Sequence, residues 1–161
     1  MTDELARQQA LVVLESANRH LEKGEIADAI LSYRRSLGLW PTAEAYVGLG
    51  QAYGLTQRHD EAIACCHKAI ATDPTLGRAY NDIGVYLIDT NRWEEAIPWL
   101  EEATRSAGYE TPRLAYFNLG RVYTHLGQYA TASKHLEQAI ELDPFHRPAV
   151  WAKFALLAKM N

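Results

Sequence analysis

Cysteine is almost missing from this chain of 161 residues, which has two, Cys65 and Cys66, side by side. Adjacent thiols close no loop, so a disulfide framework is excluded and a reducing, cytoplasmic setting is expected. Basic runs are missing as well, and the formal net charge is −4. Duplex nucleic acid and anionic lipid both require a basic face, so neither is an expected partner. No apolar stretch approaches the roughly 20 residues of a membrane span, which argues against membrane insertion. The first residues, Met-Thr-Asp-Glu-Leu-Ala-Arg-Gln-Gln-Ala, open with acids and contain no apolar segment, unlike a signal peptide. Gly-rich phosphate loops, nucleophile elbows and zinc-binding spacings are absent too. The expectation is a protein with no catalytic residues, no metal and no cofactor.

The composition, 48% hydrophobic and 22% charged, is that of a globular protein. A chain of this length buries roughly 68–70% of its unfolded surface, so it needs no covalent staple. Its dominant feature is self-similarity. Residues 45–53 (Ala-Tyr-Val-Gly-Leu-Gly-Gln-Ala-Tyr), 79–87 (Ala-Tyr-Asn-Asp-Ile-Gly-Val-Tyr-Leu) and 115–123 (Ala-Tyr-Phe-Asn-Leu-Gly-Arg-Val-Tyr) align without gaps. Their glycines, Gly50, Gly84 and Gly120, lie 34 and 36 residues apart. Ala62, Ala96 and Ala132 follow twelve residues later, Ala69, Ala103 and Ala139 seven after that, and Pro41, Pro74 and Pro144 close units. A weaker first unit keeps the register with Ala17, Ala29 and Ser36. A period of this length marks a repeat architecture of stacked units, each unable to bury its apolar face alone.

These landmarks resemble the tetratricopeptide repeat, and the resemblance covers nearly the whole chain. The family has an aromatic at position 4, Leu at 7, Gly at 8, Ala at 20, a large apolar residue at 24 and Ala at 27. Position 4 reads Val13, Tyr46, Tyr80 and Tyr116, and position 24 reads Tyr33, Cys66, Leu100 and Leu136. The resemblance implies an all-α, right-handed α-solenoid of four hairpins plus a C-terminal capping helix. It would form a single domain over 1–161, with repeats near 10–42, 43–76, 77–112 and 113–146 and the cap over 147–160. Small residues at positions 8 and 20 belong where two helices cross at roughly 8–10 Å.

Local signals predict helices near 3–22, 25–38, 42–55, 59–72, 76–89, 92–106, 112–126, 129–141 and 146–159. Thr42 reads as an N-cap, Thr111 as an N-cap with Pro112 at the first helical position, and Gly24 and Gly127 as turns inside hairpins. The third unit is irregular: two extra residues within Ser106–Pro112 lengthen it, and Pro98 falls inside its second helix. A similar long third unit occurs in the pilotin proteins of type IV pilus assembly. In the last helix Val150, Phe154 and Leu157 form a stripe that can cover the fourth unit. Trp151, Leu156 and Met160 then either wrap the edges of that core, form a patch for self-association, or meet a continuation of the chain.

The resemblance also implies a concave face built from positions 2, 5, 9, 12 and 13 of the first helices. Its candidate groove residues are Asn18, Gln51, Arg78, Asn81, Val85, Asp89, Phe117, Arg121 and His125. Leu14, Leu21, Val47, Leu55, Ile88 and the other apolar members are either groove lining or core. Amides suit a peptide backbone and pockets suit its side chains, so the implied partner is a peptide segment or amphipathic helix of another protein. A homodimer or assembly subunit working through the terminal helix, as in pilus or secretion machinery, is the alternative. The carboxylate clamp of chaperone-binding members does not fit, since its five positions read Leu14, Asn18, Gly48, Arg78 and Asp82. An asparagine ladder at position 6 is also missing: the residues are Glu15, Gly48, Asp82 and Asn118. Cys65-Cys66-His67 cannot converge on one ion from consecutive helical positions, and a packing role is expected. Glu94-Glu95 and Glu101-Glu102 read as a solvated face.

Overall fold

A computed structural model describes residues 2–106, 108 and 110–160. Among them the regular elements are helices: α1 (Asp3–Glu22), α2 (Ile26–Leu39), α3 (Ala43–Leu55), α4 (His59–Thr72), α5 (Gly77–Asp89), α6 (Trp93–Thr104), α7 (Glu110–His125), α8 (Tyr129–Leu142) and α9 (Arg147–Met160). They follow the sequence expectation to within two residues at each end. Two compact units result, Met1–Ala79 and Tyr80–Asn161.

Within the first unit, α1 pairs with α2, α3 with α4, and α2 packs on α3. Within the second, α7 pairs with α8, α6 packs on α7, and α9 lies against α7 and α8. The recurring glycines sit at the crossings. A Cβ on Gly120 would stand 2.5 Å from Leu136 Cδ2, and one on Gly84 would overlap the Leu100 side chain. At Gly50 the neighbours are Ala62 O at 3.2 Å and Cys66 Sγ at 3.5 Å. Position 8 is therefore the socket for the position 24 side chain of the same hairpin, and Tyr33, Cys66, Leu100 and Leu136 are all buried.

The turn inside each hairpin has a residue in the left-handed region: Gly24 (φ +76°), Gln57 (61°), Asn91 (60°) and Gly127 (73°). The first and last use the residue that adopts this conformation without steric cost. Thr42 caps α3, its side chain accepting from Ala45 N–H at 3.2 Å. Asp73 and Asp143 end their helices before proline and also turn back locally, accepting from the N–H of Thr75 (2.9 Å) and Phe145 (3.0 Å).

Two local expectations need correction. Helix α7 begins at Glu110, so Thr111 is not its N-cap and Pro112 lies two residues deeper, at the third position of the first turn. Proline is tolerated there because that N–H has no partner within the helix. In α9 the covered face is Ala149 and Leu156, with Ala152 half-buried, whereas Phe154 and Leu157 are 65% and 42% exposed. Ala149 stands 34 residues after Ala115 and continues the register of Ala45, Ala79 and Ala115. Helix α9 thus packs as the first helix of a fifth repeat, with Leu156 inserted beside Ala132 and Leu136. Phe154 takes position 8, which in the other repeats faces the hairpin's own second helix. Of the residues that could have wrapped the core edges, Leu156 is buried, while Trp151 and Met160 are exposed. Pro98 lies within α6 on an exposed position.

Candidate binding surface

In the first unit a groove of about 520 Å³ opens along α1, α3 and the segment leading into α5. Leu14, Asn18 and Leu21 line it from α1, Val47, Gln51 and Leu55 from α3, and Arg78 from the first turn of α5. Periodicity explains the set: residues three or four apart share a helix face, so these α1 and α3 positions each form a stripe. Tyr33 and Gly48 also line the groove, and the two are interdependent. A Cβ at Gly48 would overlap the Tyr33 ring, so glycine at position 6 is what admits an aromatic at position 24 of the preceding repeat.

The polar groups of this groove are organised in pairs. The Tyr33 hydroxyl donates to Asn18 Oδ1 at 2.7 Å, and Arg78 Nη2 donates to Gln51 Oε1 at 2.6 Å. Burial raises the Tyr33 pKa, opposed by Arg78 and reinforced by Glu22, so the phenol stays a neutral donor. Both amides accept through oxygen, and their NH₂ groups are the remaining donors. Glu22 and Glu44 add carboxylates to the lining.

The second unit holds the other six groove candidates, and several are engaged internally. Asn118 Nδ2 donates to Asn81 Oδ1 at 3.1 Å, both side chains being 5% exposed. Arg121 Nη1 donates in turn to Asn118 Oδ1 at 3.1 Å, and its guanidinium lies 5.9 Å from the Phe117 ring centre. Phe117 meets the His146 ring edge-to-face at 5.1 Å. His125 is exposed, yet its ring stacks on Trp93 at 4.0 Å. Val85 is half-buried, and Asp89 is exposed at the last position of α5. Asn118, at the centre of this network, is missing from the candidates read off the sequence. Its signal is a polar residue at position 6 beside the apolar register; the groove pattern of positions 2, 5, 9, 12 and 13 passes over it.

Aromatic stacking and an ion pair complete the second unit. His135 stacks on Tyr123 at 5.4 Å and faces Tyr116 at 6.1 Å, and burial lowers its pKa against the opposing pull of Gln138 and Glu101. Burial lowers that of His146 too, reinforced by Arg113 and opposed by Asp143. Arg113 Nη1 donates to Asp143 Oδ2 at 2.6 Å, joining the start of α7 to the end of α8. On α6 and its flanks, Glu95 pairs with Arg92 and Glu102 with Arg105, as surface ion pairs.

Two further clusters of titratable or nucleophilic side chains lie outside the groove. Cys65 and Cys66 are buried while His67 is exposed, so the three do not converge, and burial pushes the Cys65 thiol up to about 11. His20, Glu25 and Asp28 gather on the surface, but His20 Nδ1 is already 2.6 Å from Glu25.

Stacked hairpins with a small residue at each crossing, Ala17 in the first and glycine in the next three, define a class of helical repeat protein. The tetratricopeptide repeat profile matches residues 41–108 and 75–144, and the chain belongs to the tetratricopeptide repeat family. It is similar to the type IV pilus assembly protein PilF of Pseudomonas aeruginosa, with 27% identity over 137 residues, covering 84% of this chain and 54% of PilF. The chain therefore spans about half the length of that relative. The solved structure of PilF superposes with a TM-score of 0.88 at 24% identity, covering 98% of this chain and 70% of the other. PilW, a type IV pilus biogenesis factor, gives 0.81 at 22% identity, covering 88% and 66%. YrrB, a repeat protein described with an unusual peptide-binding site, gives 0.72 at 22% identity, covering 99% and 84%. At these identities the structural likeness speaks for the fold.

Proposed function

We propose that this protein is a non-catalytic, cytoplasmic interaction scaffold that holds a peptide segment or amphipathic helix of another protein. Family membership supports the general role, since such repeats serve as protein-interaction scaffolds. The observation that carries the finer reading is the groove of the first unit. Apolar walls from α1 and α3 flank two amides whose oxygens are fixed by Tyr33 and Arg78, so their donors are pre-set before a ligand arrives. Nucleic acid and the membrane interior are not proposed as partners, because the charge balance and helix composition favour neither.

Selection from a randomised peptide library on immobilised protein tests this reading. A consensus is expected with the native protein and is lost in Gln51→Ala/Arg78→Ala, both partly solvated positions, with the melting temperature unchanged. Recovery of the same peptides by the double variant would remove the groove from consideration. Asn81→Ala is a poor probe, because its amide is part of a buried network.

A second reading has its own support. Helix α9 exposes Trp151 (72%), Phe154 (65%) and Met160 (50%), and PilF, a relative, is a pilus assembly protein by name. On this reading the protein is an assembly subunit that associates through α9, as a homodimer.

A further inference from the structure

We infer that the segment held in the groove of the first unit is basic, and that it sets one lysine or arginine side chain against Glu22 between apolar neighbours. This rests on the groove reading above and names the class of partner the groove takes. Glu22 and Glu44 both line the groove, and both are exposed. Neither carboxylate has an ion pair or a hydrogen bond among the described residues. The one cation among the described lining residues, Arg78, donates to Gln51 at 2.6 Å. The groove thus offers two open carboxylates and a guanidinium already engaged, an excess of negative charge that a cationic side chain complements.

Glu22 is the stronger of the two positions. It ends α1, at the negative pole of the helix, whereas Glu44 sits in the first turn of α3, where the positive pole already offsets its charge. Four residues separate Glu22 from Asn18, one turn of helix, so the two share a face. Glu22 also acts on Tyr33, whose hydroxyl donates to Asn18 Oδ1 at 2.7 Å, which puts carboxylate, phenol and amide at one end of the groove. The basic side chains nearest in sequence are turned elsewhere. His20 meets Glu25 at 2.6 Å, Lys23 acts on the same carboxylate, and Arg19 is outside the lining.

Around that end the walls are apolar, with Leu14 and Leu21 on α1 and Val47 and Leu55 on α3. The residues flanking the cation are therefore apolar, and Asn18 Nδ2 and Gln51 Nε2 are donors for its backbone carbonyls. An acidic or phosphorylated segment would face both carboxylates while Arg78 is held by Gln51, and like charges across a contact cost affinity. A wholly apolar segment would cover Glu22 and leave its charge with neither water nor partner. A basic segment with apolar neighbours meets neither penalty.

Selection of random phage-displayed peptides on the native chain, followed by fluorescence-anisotropy titration of the winning peptide, tests the assignment. The consensus is expected to hold one lysine or arginine between apolar residues. Glu22→Gln should weaken that peptide about tenfold at low salt, and replacing the peptide's cation by norleucine should weaken its binding to the native chain equally. The two changes together should cost no more than either alone, because they remove one and the same pair. Glu44→Gln should cost about twofold to threefold. Melting temperatures of both variants should match the native chain, since these carboxylates are exposed. Absence of any consensus overturns the groove reading and this inference together. An acidic or uncharged consensus, lost all the same in Gln51→Ala/Arg78→Ala, overturns the inference and leaves the groove standing. A basic consensus whose cation and Glu22 contribute independently gives the cation to another group and overturns the Glu22 contact.

Discussion

The two halves of the chain use the same repeat for opposite ends. Met1–Ala79 keeps its amides at the lining of an open groove, Asn18 under the Tyr33 hydroxyl and Gln51 under Arg78. Tyr80–Asn161 turns two amides on each other inside the fold, Asn118 on Asn81. Position 6 separates them. Gly48 has no side chain and lets an aromatic ring reach the groove, while Asn118 has one that is buried and donates to Asn81. The landmarks that make a hairpin are therefore independent of the positions that decide whether it presents polar groups or consumes them.

The largest effect that would break this contrast is overpacking the sockets. Gly120→Leu should cost roughly 1–3 kcal/mol or more, at roughly 2–4 °C of melting temperature per kcal/mol for a chain of this size, through collision with Leu136. Gly48→Leu should cost a comparable amount and, unlike Gly120→Leu, evict the Tyr33 ring and so abolish ligand selection by the first unit. Calorimetry with the peptide selection described above separates the two outcomes.

Next in size is the amide exchange test. Asn118→Ala should cost about 1–3 kcal/mol because it leaves Asn81 Oδ1 buried and unsatisfied, while Asn81→Ala/Asn118→Ala should cost less than the sum of the single changes. Asn18→Ala, at an exposed position, should stay within about 0.5 kcal/mol. Equal costs at Asn18 and Asn118 in urea unfolding would erase the distinction between the units.

The smallest expected effect is acid sensitivity. The folded pKa values of His135 and His146 lie below the unfolded value of about 6.5. The unfolded chain therefore binds more protons between the two values, and stability, complete above that range, is lost as pH falls through the folded pKa. Hydrogen exchange should show α7 and α8 opening earlier than α1–α4 when pH is lowered from neutral towards 5 (a value below the usual imidazole range). His135→Gln should reduce the difference.

Nearly all helices were legible because glycine sockets, alanine crossings and Asp-Pro stops are local signals repeated several times. The start of α7 was not, since Thr111-Pro112 suits both a cap and a first turn, and the residues that decide lie upstream. The face of α9 is not legible in this way, because Phe154 and Leu157 look like core by hydrophobicity alone. The register of Ala45, Ala79, Ala115 and Ala149 contains the answer, as it assigns α9 to a first-helix role whose position 8 points away from the preceding repeat. In the site, Asn18, Gln51 and Arg78 are what the tetratricopeptide resemblance implies for the concave face. Their pairing with Tyr33 and with each other is not implied by it, because a hydroxyl reaching across from another helix leaves no trace in spacing. Asn118 escaped for a related reason: nothing in sequence alone distinguishes an amide that faces a ligand from one that faces another amide.

The left-handed turn at the tip of each hairpin has a practical consequence. Nothing lies within 4 Å of where a Cβ at Gly24 or Gly127 would project. The bends between α1 and α2 and between α7 and α8 are thus open ends of the architecture, where added chain would meet only solvent. Lengthening them costs closure entropy, which grows by about 0.6 kcal/mol per doubling of loop length, together with the turn's own hydrogen bonds, Glu25 N–H to His20 O and Gln128 N–H to Tyr123 O, both 2.9 Å. A tag or fluorescent peptide spliced into either bend would report on its own unit, and the one between α7 and α8 would do so outside the unit that holds the groove, whose lining includes Leu21 and Glu22 beside the first bend.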